Sequence, residues 1–266
     1  MTGRFTQKAQ NALNAALNAA RSLGHTYIGS EHILLGIAAD RENAASRILA
    51  ARGAVRNTLR TAAAALLLAL VLGFLFGLMA ASGKPLLRVL ARVYVECIQN
   101  TPVVLQMCFL YYVLAFSGVK TDIIATGIVS LGVYTGAYMS EVVRAGIGSI
   151  PKGQFEAAQS QGFGYFSTMW RIILPQSIKI ILPPMVNQMV NLIKNTSCLY
   201  IVGGADLISL TYSFVTGAST GGAYAPAYIL CGVLFFCICY PLSHLATRWE
   251  TVLKRRESQQ HLKEAA

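Results

Sequence analysis

Hydrophobic positions in this chain fall in long unbroken runs, unlike the alternating or one-sided patterns of a soluble domain. A helix needs about 20 mostly apolar residues to cross a bilayer core. Residues 61–83, TAAAALLLALVLGFLFGLMAASG, meet this without a single charge. Further runs at 102–119, 123–143, 180–203 and 223–246 read the same way. The pattern predicts an all-α polytopic membrane protein with about five transmembrane helices, which puts the two termini on opposite sides of the membrane.

Local signals refine the spans. Pro102 fits a first helical turn, where its missing N–H is not needed, and Thr101 before it is a candidate cap. The third span carries Gly132 and Gly136 at the four-residue spacing that lets two helices approach closely in lipid. The fourth opens with Pro183-Pro184. Between the third and fourth lies a more polar stretch, 150–176. There Phe163, Phe166, Trp170, Ile173 and Leu174 recur at three- and four-residue steps, predicting one apolar face on a short surface helix. Gly162 fits the turn before that helix, because it adopts positive φ without steric cost. Pro175 is expected to close the short helix before the next span.

Composition agrees: 55% of the 266 residues are hydrophobic, only 12% are charged, and mean hydropathy is +0.52. The net charge of +11 raises nucleic acid as a partner. However, the basic residues sit at the ends of apolar runs and are not interleaved with aromatics, which points to the bilayer and excludes a nucleic-acid patch. Lys84, Arg88 and Arg92 follow the first span, Arg144, Lys152, Arg171 and Lys179 lie between the third and fourth, and Arg248, Lys254, Arg255 and Arg256 follow the fifth. Only Lys120 follows the second, and no basic residue follows the fourth. The positive-inside rule therefore places stretch 150–176 and the C-terminal tail, 255–266, in the cytoplasm. The six cysteines form no CxxC pair and behave as small apolar residues. No metal or other cofactor is expected. The chain has no GxxxxGK[ST] phosphate loop and no HExxH helix, so an enzyme is not expected either.

The polar stretch contains Glu156-Ala157-Ala158, then Gly162 four residues on, then Ile172, Leu174 and Pro175. This string resembles the EAA loop of the membrane subunits of bacterial ABC importers. The segments YVECIQNTPVVLQMCFLYY, GAYMSEVVRAGIGSIPKGQFEAAQSQGF and ILPPMVNQMVNLIKNTS resemble the polar amino acid branch of those permeases, over residues 55–254 in all. That branch usually has Arg-Gly-Thr-Pro where this chain has Gln99-Asn100-Thr101-Pro102. The resemblance implies that Glu156, Ala157, Ala158, Gly162, Ile172, Leu174 and Pro175 couple the spans to a cytoplasmic ATP-binding subunit. It also implies a second permease subunit, the same or related, an extracytoplasmic amino acid binding protein, and residence in the bacterial cell (inner) membrane.

Asn187, Asn191 and Asn195 are spaced four apart, with Gln188 and Lys194 beside them, so one face of the fourth span is polar. Polar groups in hydrocarbon face a partner helix or a wet cavity. Interhelical hydrogen bonding and a substrate path are both open readings. On the path reading, Asn187, Asn191, Lys194 and Gln106 line it. Glu141 and Arg144, three apart, are expected to pair on one helix face. Glu96 is expected at the membrane interface.

Residues 1–54 have a different character. Phe5, Ala9, Ala12, Leu13, Ala16, Leu17 and Ala20 follow helical spacing. Ser30 is a candidate cap for a second helix and Asn43 for a third ending at Gly53. FTQKAQNALNAALNAARSLGHTYIGSEHILLGI resembles the first half of the amino-terminal domain of Clp family ATPases. His25 and His32 read as too isolated for metal ligands. The alternative to an importer subunit is therefore a membrane-anchored Clp-type recruitment or adaptor module, which needs one span and no Glu-Ala-Ala loop.

Overall fold

The computed structural model describes residues 7–25, 27–29, 32–33, 44–119, 122–216 and 224–264. The described residues are helical or in short connections, with no strand among them. The elements are α1 (Gln7–Ser22), α2 (Ala44–Ala81), α3 (Pro85–Gln99), α4 (Val103–Phe116), α5 (Ile123–Gly148), α6 (Lys152–Ser160), α7 (Tyr165–Thr168), a π-helical turn (Met169–Ile173), α8 (Leu174–Asn195), a 3₁₀ turn (Thr196–Val202), α9 (Leu207–Thr216) and α10 (Tyr224–Glu264). The stretches Ala51–Ala81, Ile123–Gly148 and Ala227–Val252 are long and apolar enough to cross a membrane by themselves. Two bent pairs, α3 with α4 and Tyr165–Val202 with α9, raise the number among the described residues from three to as many as five if each pair counts as one span.

The central contact is α2 against α5, and small residues make it. A Cβ on Gly132 would lie 2.7 Å from Leu68, one on Gly73 2.6 Å from Met139, and one on Gly77 2.6 Å from Val143. The partners advance together along both helices, so α2 and α5 run parallel. Gly136 belongs to the same seam and also admits the Tyr94 hydroxyl, 3.0 Å from where a Cβ would stand. Without a hydrophobic force between helices in lipid, such backbone approach supplies the van der Waals attraction that holds the pair. The Gly132/Gly136 spacing is thus a packing device.

α8 crosses the other side of α5 in the opposite direction: Gly146 meets Ile181, and Gly127 meets Leu199. These pairings give a common ruler. The last turns of α2 and α5 lie at the same end as α6, whereas the start of α2 lies at the far end, beside the start of α5. At 38 residues α2 is about 57 Å long, nearly twice the bilayer core of about 30 Å. Its first turns therefore stand beyond the start of α5. There Asn57 donates to the Ala205 carbonyl (3.4 Å), and Ala54 and Val55 pack with Leu207 and Cys231.

Several local expectations change. The third helix of the front segment does not end at Gly53; α2 runs through it into the first span, because nothing at Gly53 turns the backbone to positive φ. The expected second span, from residue 102, coincides with α4, a helix of 14 residues; α3 precedes it at a 96° bend, and only the two together are long and apolar enough to cross a membrane. Thr101 does not cap α4; its hydroxyl donates back to Cys97 O (2.8 Å), and Pro102 itself occupies the cap position without a side-chain bond. Pro175 does not close a helix: it lies in the first turn of α8, where a proline is tolerated, and helix continues from Tyr165 to Val202. Pro183 and Pro184 are inside α8. The tail 255–266 continues α10 as far as Glu264. Ser30, Asn43, Phe5 and Lys120 lie outside the described residues.

In the front segment, α1 buries Ala16 and Ala20. His25 and His32 are not isolated from one another: His25 Nδ1 and His32 Nε2 are 2.9 Å apart, and the Gly29 N–H donates to His32 Nδ1. Among the described residues no three His, Cys, Asp or Glu side chains converge as a metal site would need.

Candidate functional site

Stretch 150–176 folds as two helices around a tight corner. α6 ends at Ser160, and Gly162 follows at φ +82. The Phe163 N–H reaches Ala158 O (3.0 Å) and the Gly162 N–H reaches Gln159 O (2.9 Å), the paired bonds of a Schellman cap. Gly162 therefore does what its position in the sequence demanded. Within α6, Ala158 is buried while Glu156 and Ala157 are exposed. A helix that turns its small, buried residue inward leaves Glu156 and Ala157 available to a partner. After the corner, Ile173 and Leu174 are buried and Ile172 half-buried. Phe155 and Ile172 pack against the main core.

The expected single apolar face on the short helix does not exist. Phe166 is 80% exposed and Trp170 67% exposed, whereas Ile173 is 0% exposed. The π turn at Met169–Ile173 adds a residue to the local turn, so positions before and after it no longer share one face. Sequence spacing assumed a uniform period and missed this.

Beside α6 a cavity of about 800 Å³ opens between α2, α3 and α5. Six of its lining residues carry charge: Arg88, Arg92, Arg144 and Lys152 against Glu96 and Glu141. Arg144 Nη2 and Nε both donate to Glu141, the shortest distance being 2.7 Å, which is the pair expected three apart on α5. Both side chains remain partly exposed, so the pair adds little stability by itself. Gln99 also lines the cavity, and its amide donates to Ala137 O (3.4 Å), near the middle of α5. Lys152, at the other extreme, lies beyond the end of α5. The cavity thus reaches from mid-bundle to the α6 end. Glu96 is in the cavity wall, where Asn100 donates to both its carboxylate (3.2 Å) and its backbone carbonyl (2.8 Å). Sequence reasoning had not gathered these charges into one site, because they come from three separated elements.

The candidate path residues are split. Asn187, Asn191 and Lys194 are exposed on α8, and within the chain neither asparagine amide bonds a described residue. Gln106 bonds across the corner between α3 and α4: its Nε2 donates to Ile98 O (2.8 Å) and Thr101 O (3.0 Å) beside the 96° bend. One further motif had been missed. Gly217-Ala218-Ser219-Thr220-Gly221 has the GxSxG spacing, but it lies outside the described residues, between helices α9 and α10. A nucleophile elbow requires a strand before the serine.

Residues 73–257 match the family described as "Binding-protein-dependent transport system inner membrane component". The chain belongs to that family. Residues 4–71 match the Clp repeat (R) N-terminal domain, and this second match runs past Ala54 into the first span. Among curated relatives, the permease is 36% identical over 188 residues to the probable glutamine ABC transporter permease protein GlnP of Bacillus subtilis (strain 168), covering 69% of this chain and 86% of that protein. It is 39% identical over 187 residues to the probable GlnM permease of the same organism, covering 70% and 85%. Among solved structures it resembles an amino acid ABC transporter, with a TM-score of 0.70 and 27% identity over 77% of this chain and 94% of the other. A MetNI methionine ABC transporter in inward-facing form shares the fold at a TM-score of 0.62 and 15% identity, over 76% and 97%. The transport reading thus holds over the anchored-adaptor alternative: the permease match spans most of the chain, and the spans and the Glu-Ala-Ala loop belong to it.

Proposed function

We propose that this permease carries a polar amino acid, with glutamine as the first candidate, into a bacterial cell across its inner membrane. A separate ATP-binding subunit drives it, an extracytoplasmic binding protein feeds it, and a second permease subunit, the same or related, completes the path. The observation that carries the proposal is the charged cavity reaching from mid-bundle to the α6 end. An amino acid is a zwitterion. Its carboxylate suits Arg88, Arg92 and Arg144, and its ammonium suits Glu96 and Glu141, so one wall offers both signs within a water-accessible space. The exposed face of Asn187, Asn191 and Lys194 continues the path on α8 towards the second subunit, since bare amides facing lipid would be costly. Gln106 supports the path by holding the corner that carries Gln99 and Asn100.

The EAA loop, 150–176, is the coupling element. Glu156, Ala157 and Ala158 form its docking helix, Gly162 sets its corner, and Ile172, Leu174 and Pro175 tie it to α8. ATP-driven movement of the docked subunit biases the bundle only if its contacts differ between the two states. The test is Gly162→Val. A Cβ there meets open space, so the substitution acts through backbone strain of about 1–2 kcal/mol in a left-handed conformation. Membrane insertion should persist while amino acid uptake and transport-linked ATP hydrolysis fall. Full uptake by the variant, with its partners present, would remove the loop from the coupling route.

A further inference from the structure

The start of α2, at the end of the bundle opposite α6, carries three arginines that nothing in the fold uses. Arg52, Arg56 and Arg60 are spaced four apart and all are exposed, so they form one stripe along the helix. Among the described residues none of them has an ion-pair or hydrogen-bond partner. Like charges at this spacing repel one another. The positive-inside rule draws basic residues to the α6 end, so orientation does not account for the stripe. The acids at this end lie elsewhere. Asp122 accepts from the Ala125 N–H (2.9 Å) to cap α5, and Asp206 accepts from the Ser209 N–H (3.0 Å) to cap α9. Both line a pocket with Thr58 and Thr61, which are buried on the inner side of α2.

The helix contacts set the depth of the stripe. Leu68 meets Gly132 and Gly73 meets Met139, so the first turn of α5 is level with about residue 58 of α2. α5, at 26 residues, is about 39 Å long and overshoots a core of about 30 Å by about 4–5 Å at each end. Arg60 therefore leaves the helix about 1–2 Å outside the core, Arg56 about 6 Å further out and Arg52 about 6 Å beyond that. Side chains on a helix lean towards its N-terminus, here outwards, which carries the guanidinium groups of Arg56 and Arg60 to headgroup depth. Below them Leu67, Val71 and Leu75 continue the same face, and each is at least half exposed. That face points nearly opposite to the Ala69 and Gly73 seam with α5, since two residues along a helix turn it by about 200°.

We propose that this face of α2 binds an anionic phospholipid of the extracytoplasmic leaflet. Arg56 and Arg60 hold its phosphate, Arg52 reaches the outer part of the headgroup, and an acyl chain lies along Leu67 and Val71. The guanidinium fork suits phosphate oxygens, which it grips in pairs. An uncharged glycerol headgroup fits above the phosphate, whereas the cationic choline or ethanolamine of a zwitterionic lipid would meet Arg52. The continuous apolar face below the arginines suits a lipid and not a soluble phosphate. The stripe lies within residues 4–71, matched by the Clp repeat domain, and ahead of the permease match at 73–257. The site thus belongs to the junction of the two segments and does not depend on which amino acid is carried.

The test compares full-length wild-type permease with the double variant Arg56→Gln, Arg60→Gln. Each is titrated in detergent with phosphatidylglycerol or phosphatidylcholine, and bound lipid is counted by native mass spectrometry. Basic residues at the α6 end retain lipid in both proteins, so the difference between them reads the α2 site. Wild type should hold about one more phosphatidylglycerol per chain than the variant, with affinity falling on the order of fivefold per arginine removed. Phosphatidylglycerol should also raise the temperature of half-loss of the monodisperse peak for wild type by more than for the variant, while the two proteins agree without lipid. The stripe is exposed, so the variant keeps its core packing and that agreement checks it. Equal phosphatidylglycerol counts for the two proteins would overturn the proposal, including the case in which the variant loses uptake through a protein contact instead. Equal gain from phosphatidylcholine would reduce the stripe to unselective snorkelling. Displacement of the lipid by millimolar glycerol 3-phosphate would replace it with a site for soluble phosphate.

Discussion

Two glycines in α2 should respond to the same substitution with opposite signs. Gly73 lies on the seam with α5, where a Cβ would stand 2.6 Å from Met139 Cβ and 3.4 Å from the Met139 carbonyl carbon. Ordinary carbon contacts lie at about 3.5–4.0 Å, so Gly73→Ala must part the helices by about 1 Å. Met139 is fully buried and has nowhere to withdraw. Overpacking of this kind costs about 1–3 kcal/mol, against which alanine returns at most about 1 kcal/mol of helix propensity. Gly53 sits in the same helix with nothing within 4 Å of its would-be Cβ. Gly53→Ala should therefore gain about 0.5–1 kcal/mol. About 1 kcal/mol corresponds to roughly 2–4 °C for a protein of this size. The assay is the temperature of half-loss of the monodisperse peak, read by size-exclusion after heating in detergent for a fixed time, because unfolding of such a protein is irreversible. Gly53→Ala should raise it and Gly73→Ala should lower it. A fall for Gly53→Ala would mean that α2 ends there, and an unchanged or raised value for Gly73→Ala would mean that α2 and α5 are not in contact at that point.

Gln106→Leu leaves Ile98 O and Thr101 O without their side-chain donor, so it should destabilise by about 1–3 kcal/mol, read in the same heating assay. Tyr94→Phe keeps the stack on Phe76 (4.1 Å) but loses the 2.7 Å bond to Val133 O, a smaller loss of about 0.5–1.5 kcal/mol. Asn191→Leu should reduce amino acid uptake by reconstituted vesicles while retention of the ATP-binding subunit is unchanged; loss of both together would assign Asn191 to bundle assembly. Removing residues 2–50 should leave insertion and uptake largely intact, whereas a deletion reaching Thr58 also removes Ala54, Val55 and Asn57 from their contacts at the far end of the bundle and should lower the half-loss temperature.

The apolar runs determined that this chain is a bundle of membrane helices, because burial in lipid forces every backbone polar group into helix whatever its neighbours do. Gly162, its turn and the Glu141–Arg144 pair were equally legible, since each depends on bonds within a few residues. What tertiary structure alone decided involves partners far apart in the chain. Gly132 and Gly136 were visible as a spacing, but that they take Leu68 and Leu72 of a parallel helix follows from the contact itself. The charged cavity gathers Arg88, Glu96, Glu141 and Lys152 from three elements, and no periodicity within one element reports that. The carbonyls that take the Gln106 amide, Ile98 O and Thr101 O, are brought to it by the 96° bend, which no local spacing reports. Phe166 and Trp170 read as sharing one apolar face with Ile173 and Leu174 because a constant helical period was assumed. One π turn breaks that period, and only the folded backbone shows both rings exposed while Ile173 is buried.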